Sequence, residues 1–402
     1  MRHHSETTSE PSLAQQMRSA LREELRPHFA ELASCNSTPE LFEHPTYLRL
    51  KAKFDRIFQT PEEGDFRSAA APKKGSYRIA AWNLERGIHY EGQLKAFQQD
   101  PYLSQSDVLL LTETDVGMAR SANRNIARDL ARELGMSYAF SPCYINLAKG
   151  SGVEYDAEGE NESGLHGNAI LSRYPLSNVR SVFLKNGKDK MKGREKRLGQ
   201  QTAVVAEVEF PGRAVTAVAV HLDANSSQQH RAEQMADVLA SIAGRSPAVI
   251  GGDWNTTTFN SSSATMAILG FWLRVFMGPN NVITNHYLHP YNKFEAKLFQ
   301  LLEDAGFDYR SANSIGERTT SYDVDDAKTH KNLREWVPAW CFAFIRWALR
   351  HHDGKCPLKI DWLAVKGLAA HNPRVLHQYR EGRIPPLSDH DPIGVDIAEP
   401  AV

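Results

Sequence analysis

This 402-residue chain is expected to fold as an α/β (α+β) protein in which helices cover β-sheets, and three features lead to that expectation. From Tyr77 onward, short β-like runs alternate with helical stretches. Two of the runs, 202–210 and 214–220, flank Pro211-Gly212 as a hairpin, which a simple parallel sheet would not contain. Most runs also end in a polar residue, at the point where a strand gives way to a loop.

Taken in order, residues 11–58 read as helical, since Leu21, Leu25, Phe29 and Leu32 recur at helical spacing. Pro27 lacks an amide hydrogen and is expected to break or kink that run. A second helix is expected over 47–58. The segment 59–76 (QTPEEGDFRSAAAPKKGS) is polar with Pro, Gly and Ala, and reads as a linker or surface strap. Residues 1–76 therefore form an N-terminal helical extension with linker, and 77–398 the principal domain.

Within that domain, 77–82 alternates and ends at Asn83, while 107–111 (DVLLL) is a buried-type run ending at Thr112-Glu113. Residues 168–171 end at Ser172-Arg173. The second arm of the hairpin ends at His221, and 248–250 ends at Gly251-Gly252-Asp253-Trp254-Asn255. Residues 360–365 carry Asp361, and a last strand marked by Ile393, Val395 and Ile397 follows Asp389-His390. Between them, 124–134 is an amphipathic helix closing at Gly135. Ser226 with Gln229 forms a capping box ahead of a buried stripe of Met235, Val238, Leu239 and Ile242.

Composition narrows the classes. Apolar content of 41% and charged content of 24% suit a soluble globular protein. A net charge of -1 supplies no global attraction to nucleic acid or anionic membrane, although the basic run 185–197 (KNGKDKMKGREKR) reads as an exposed loop, a polyanion contact, a headgroup contact or a disordered segment. No apolar stretch reaches the roughly 20 residues that span a bilayer, and the polar N-terminus lacks the core of a secretory signal. Cys35, Cys143, Cys341 and Cys356 are widely spaced without a CxxC, which fits reduced thiols and a cytoplasmic protein.

The strand-end residues Asn83, Glu113, His221, Asp253, Asn255, Asp361, Asp389 and His390 make an oxygen-rich set with two imidazoles and no thiol. Strand ends on one rim converge in space. Carboxylates with amide oxygens suit Mg²⁺ or Mn²⁺ rather than zinc. Imidazoles and amides beside such an ion suit a phosphate ester, so metal-assisted phosphoester hydrolysis is the chemistry the set points to.

The ordered segments Trp82-Asn83-Leu84-Glu85, Leu111-Thr112-Glu113, Gly167-Asn168-Ala169-Ile170-Leu171-Ser172, Val220-His221-Leu222, Gly252-Asp253-Trp254-Asn255, Ile360-Asp361-Trp362 and Ser388-Asp389-His390 resemble those of the endonuclease/exonuclease/phosphatase (DNase I-like) superfamily. The resemblance runs from Tyr77 to about Ile397. It implies a four-layer sandwich of two packed mixed β-sheets flanked by helices. By the same resemblance Glu113 is the main metal ligand, with Asn83 and Asp389 close to the metal or the phosphate. Asp253 positions or deprotonates the attacking water and Asn255 holds a phosphate oxygen. His390, oriented by Asp361, stabilises the pentavalent transition state, and His221 faces the phosphate or the leaving group. Trp254 stands where many relatives carry Phe, one aromatic for another.

Other residues keep two readings. Asn168 either donates to the phosphate rim or ties down the loop after Gly167. Arg120 and Arg124 are candidate phosphate clamps or members of a solvated helix face. His351, His352 and Asp353 have the composition of a metal cluster but lie in a Gly-containing loop, where solvation is the plainer reading. An insertion at about 259–355 holds two apolar stretches, 267–277 and 336–349. There Trp272, Phe276, Trp340, Phe344 and Trp347 form either a satellite core or an interfacial, acyl-contacting surface. Neutral charge and the apolar insertion favour a lipid headgroup or small phosphodiester as substrate, with peripheral membrane contact as a possible partner mode. A nuclease acting on DNA or RNA is the alternative, and a non-catalytic scaffold the third reading.

Overall fold

The computed structural model describes residues 13–399 apart from 151, 259, 261–262, 324–340 and 384. Its strands in chain order are β1 (Glu62–Asp65), β2 (Ser76–Arg86), β3 (Val108–Val116), β4 (Ser137–Asn146), β5 (Leu165–Ser172), β6 (Leu176–Leu184), β7 (Arg197–Gly199) and β8 (Gln201–Phe210). They continue with β9 (Arg213–Ala219), β10 (Ala248–Asp253), β11 (Thr320–Asp323), β12 (Lys355–Leu358), β13 (Asp361–Lys366), β14 (Ala369–Val375) and β15 (Ile393–Ala398). Among the described residues an eight-stranded sheet runs β1-β4-β5-β3-β2-β15-β14 with β7 beside β4, a five-stranded sheet runs β13-β10-β9-β8-β6, and β11 pairs β12. Both large sheets are mixed. In the first β2 and β3 are parallel, in the second β9 and β10.

Strand alternation builds the layers. Ile79 and Ala81 of β2 and Val108 and Leu110 of β3 meet Val204, Ala206, Val249 and Leu363 between the sheets. The intervening Ala80, Trp82, Leu109 and Leu111 face the opposite way, into a core that also holds the N-terminal Leu21, Leu25, Phe29 and Leu32. On the second sheet Val205, Ile250 and Trp362 point outward to Met235 and Val238 of the helix Gln228–Ser241 and to Leu298 and Leu302 of the helix Ala296–Asp304. Strands buried on both faces read as continuous apolar runs rather than alternating ones. The result is helices, sheet, sheet, helices: the four-layer sandwich. The N-terminal helices cover the first sheet, and Ala296–Asp304, inside the expected insertion, completes the outer layer over the second.

Several local expectations change. The strap 59–76 contributes β1, which pairs antiparallel with β4. Glu62 in it is buried and accepts from Arg18, Asn125 and Tyr138. Pro27 sits in the 3-10 turn Arg26–His28, and the second helix runs Pro45–Gln59. The cap of the helix Gln228–Ser241 is Ser227, whose Oγ accepts from the His230 amide at 3.2 Å; Ser226 instead donates to the Asp223 carbonyl at 2.6 Å. No helix among the described residues is long and apolar enough to cross a membrane.

Candidate active site

Parallel neighbours need crossovers, here the helices Tyr90–Gln99 and Gln228–Ser241, so β2, β3, β9 and β10 all end on one rim. The antiparallel partners begin there. Asp253 is in register with Asp361, and Ile393 at the head of β15 with Ala81. The Trp82 indole donates to the His390 carbonyl at 2.9 Å, and the Ser388 hydroxyl to the Asn83 carbonyl at 2.6 Å. Across the sheets, Asn83 Nδ2 donates to Asp253 Oδ2 at 3.1 Å. Glu113 sits in left-handed backbone (φ +52°), where the pairing of β3 with β5 shifts register between Leu111 and Thr114. Such bulges re-aim one side chain and concentrate at functional rims. Asn255 is also left-handed (φ +48°), a conformation Asn tolerates.

The side chains form two linked groups. His390 Nδ1 lies 2.8 Å from Asp361 Oδ2, and its Nε2 is 3.7 Å from Asp253 Oδ2. Burial disfavours the imidazolium, but Asp361, Asp253 and Asp389 outweigh it and hold His390 well above the ordinary histidine range. Asp361 is fixed by its own amide donating to Thr319 Oγ1 at 3.1 Å, while its Oδ1 is buried without a partner. Burial pushes the Asp253 carboxyl up to about 6, although His221 and His390 pull it the other way. His221 bridges the groups. Its Nε2 accepts from Asn255 Nδ2 at 2.8 Å and stands 3.5 Å from Asp253 Oδ2, and its Nδ1 is 3.9 Å from Glu113 Oε1. Asn255 Nδ2 also donates to the Leu222 carbonyl at 2.9 Å, which sets the amide's orientation. Burial would raise Glu113 too, but Arg86 and the imidazoles of His221, His166 and His390 keep its carboxyl ionised, well below the usual range.

A divalent cation fits this donor set. Glu113 is anionic, and its neighbours Arg86 and His221 stand 3.6 and 3.9 Å away, outside hydrogen-bond reach. With Asn83 beside it, the donors are hard oxygens. The tightest acidic and imidazole cluster among the described residues is Asp253, Asp361 and His390, with ligand atoms within 4.8 Å of one another. In that cluster the 2.8 Å contact of His390 with Asp361 is a hydrogen bond, which leaves no room for an ion between them. The oxygens left to hold an ion are those of Glu113 and of Asn83, whose Oδ1 also accepts from the Glu85 amide at 3.0 Å. Asp389 is exposed, its amide donating to the buried Glu85 carboxylate at 3.1 Å, and its charge still reaches His390.

The Endonuclease/Exonuclease/phosphatase family model matches residues 80–390. The chain belongs to that family. Among solved structures, an endonuclease/exonuclease/phosphatase from Beutenbergia cavernae DSM 12333 is 16% identical, with 81% of this chain and 72% of that chain covered at a TM-score of 0.50. The 3'-5' exonuclease NExo from Neisseria meningitidis is 16% identical over 79% of this chain and 98% of its own, at a TM-score of 0.43. The human Nocturnin catalytic domain with bound sulfate is 14% identical over 84% and 96%, at 0.43. At such identities the likeness concerns the fold alone. No curated protein matches the sequence.

Not every candidate of this family member reaches the rim free to act. Arg120 is a correction: its guanidinium is buried, with Nε and Nη2 on Asp115 at 2.8 and 3.1 Å and Nη1 on Glu154 and Glu195 at 2.8 and 2.9 Å. Three carboxylates occupy it, so it is a structural cation rather than a phosphate clamp. Arg124 pairs with Glu91 at 2.6 Å and lies over the Tyr90 ring, on a half-exposed helix start. Asn168 Nδ2 donates to the Thr202 carbonyl at 2.7 Å, tying β5 to β8. His351 and Asp353 are exposed, and His352 contacts Asn280 at 3.1 Å. Trp254 is buried and stacks on Trp362. Sequence reasoning missed Arg86, which pairs with both Glu113 and Glu154. The available signal was its place directly after the Trp82–Glu85 segment.

Proposed function

We propose that this protein is a divalent-metal-dependent phosphoesterase that hydrolyses a phosphodiester by in-line attack of water, on a lipid headgroup or a small phosphodiester. The observation that carries the reading is the divergence of two carboxylates on either side of His221. Burial pushes Asp253 up to about 6, where a base near neutrality works best, while Glu113 is kept ionised. Titratable neighbours whose environments pull them apart mark acid–base assignments. Mg²⁺ or Mn²⁺ held by Glu113 and Asn83, with Asp389 nearby, would supply charge neutralisation at the phosphoryl group.

Asp253, oriented by Asn83 Nδ2 and by the Asn255 amide at 2.9 Å, takes the proton of the attacking water. The new phosphorus–oxygen bond forms as the bond to the leaving oxygen breaks on the opposite side, with no covalent enzyme intermediate. His390, kept cationic by Asp361, donates from Nε2 to the oxygen on which charge grows. Asn255 spends both amide hydrogens on His221 Nε2 and the Leu222 carbonyl, so in this reading it positions His221 and, contrary to the expectation from sequence, has no donor left for a phosphate oxygen.

For the nuclease alternative, three of the seven basic residues in the run 185–197 are already engaged within the fold, while Lys185, Lys192 and Arg194 are exposed. In the run 185–197, Lys190 pairs with Asp223 at 2.9 Å, Lys196 Nζ donates to the carbonyls of Cys35 and Met191, and Arg197 pairs with Glu195. The test is a substrate panel with Mg²⁺ or Mn²⁺ and with EDTA: bis-p-nitrophenyl phosphate, sphingomyelin, inositol phosphates, DNA and RNA. Asp253→Ala and His390→Ala are each expected to lower the preferred activity by about 10²–10⁴-fold. If neither does, the assignment is wrong; preference for nucleic acid with a steep salt dependence would select the nuclease reading.

A further inference from the structure

The helix Ala264–Met277 (ATMAILGFWLRVFM) carries one charged residue, Arg274. That guanidinium turns inward, bonding the Gly270 and Thr258 carbonyls. One side of the helix is anchored: Met277, with Ile345 and Leu349 of the helix Cys341–Leu349, packs on Val282, Ile283, Tyr287 and Ile360, and Trp272 meets the Phe344 ring edge-on at 6.2 Å. Among the described residues the other side is exposed. Phe276 is 84% exposed, Leu269 60%, Ile268 52% and Leu273 51%, and Trp347 of the helix Cys341–Leu349 is 53% exposed. Apolar side chains gathered in this way on a surface mark an interaction site.

Its surroundings are cationic. Arg350 is exposed with its guanidinium 4.6 Å from the Trp347 ring centre, and Arg346 is exposed one turn before it; Lys355 lies opposite Asp323 across the β11–β12 pair. Across 263–302 the one acid is Glu295, buried against Arg231; across 341–355 it is Asp353. An apolar face of Phe, Leu and Trp with arginines at its border is how an interfacial helix meets anionic headgroups. Among the described residues no helix is long and apolar enough to cross a bilayer, so these two would lie in its plane. The segment also leaves and rejoins the fold at the catalytic rim. Arg274 bonds Thr258, three residues after Asn255, and β12 leads straight to Asp361.

We propose that the face formed by Ala264–Met277 and Cys341–Leu349 docks the protein onto an anionic lipid bilayer, turning the catalytic rim toward the membrane surface. The proposal stands on exposure and charge and does not depend on the hydrolytic reading.

The experiment is co-sedimentation of the full chain with vesicles of phosphatidylcholine plus phosphatidylserine, and of phosphatidylcholine alone. Binding is expected to the mixed vesicles and to be weaker without phosphatidylserine. The double variant Leu269→Ser/Phe276→Ser should lower partitioning at least about tenfold, given the apolar area removed, and Arg350→Glu should erase most of the phosphatidylserine preference. Circular dichroism confirms that the variants fold. Asp253→Ala should bind as the parent does, which separates failure of docking from failure of the hydrolytic reading. No sedimentation at physiological salt, or binding unchanged in the double variant, overturns the proposal. Dimers that Phe276→Ser dissolves, without vesicle binding, overturn it as well and assign the face to a second copy of the chain.

Discussion

Replacing Asp361 by Asn keeps shape and removes one charge from the partner of His390. The carboxylate oxygen lies 2.8 Å from Nδ1, and at an effective dielectric near 20 such a contact is worth about 4–6 kcal/mol. Asp253 and Asp389 also favour the imidazolium and remain in place, so roughly 3 kcal/mol is a fair net loss, or about a hundredfold in rate. The loss should depend on pH. In the parent His390 stays charged well past neutrality; in Asp361→Asn it moves back toward the ordinary imidazole range and discharges as pH rises. The ratio of parent to variant kcat/KM should therefore grow from about pH 6 to pH 9. The assay is bis-p-nitrophenyl phosphate hydrolysis at saturating Mg²⁺, with thermal melting to confirm the fold. A ratio below about fivefold, or one flat across that range, would refute the role given to the pair.

Three further outcomes follow from buried charge. Lys359 is fully buried, its Nζ without a hydrogen-bond partner 4.6 Å from the Trp362 ring centre, and burial pushes its pKa down to about 8. Its charged form is disfavoured in the fold, so stability is lost as pH falls through 10.5 toward 8 and the penalty is complete below that. Lys359→Met should accordingly raise unfolding free energy by ~1–3 kcal/mol at neutral pH in urea titrations, the gain fading as the medium becomes strongly alkaline. Arg86→Gln removes the nearest cation from Glu113, so the Glu113 carboxyl should titrate at higher pH than in the parent when followed by carboxyl NMR, with no such movement counting against the pairing. Arg120→Met leaves Asp115, Glu154 and Glu195 without their common cation and should destabilise by about 3–5 kcal/mol. If Arg120 instead clamped substrate, the same variant would raise KM and leave the melting temperature in place.

How far the fold was legible depended on burial. β3, β8 and β10 are apolar runs because both faces are covered, and a continuous run announces itself. β4 was hidden by Pro142 and Ser141 within a strand whose pairing shifts between Pro142 and Tyr144. β6, partly exposed along its length, lacks the contrast that would mark it. β1 is four residues, EEGD, with no pattern at all. The site residues were legible because Asn83, Glu113, His221 and Asp253 end or directly follow such runs, while Asp361 and His390 stand at the heads of later ones. The ionic frame behind them was not: Arg120 reaches Glu154 and Glu195 across 34 and 75 residues of chain, and nothing local predicts that meeting. For the same reason, Arg120 could be read as a phosphate clamp until its partners were known.

The most direct test of the water-activating site is a Mg²⁺ titration of bis-p-nitrophenyl phosphate hydrolysis by the parent and by Asp253→Asn. The account predicts activity abolished by EDTA, restored by Mg²⁺ or Mn²⁺, and at least about a thousandfold lower in Asp253→Asn, with the Mg²⁺ dependence of the residual rate little changed. Activity that survives EDTA, or an Asp253→Asn rate within about tenfold of the parent, would contradict it.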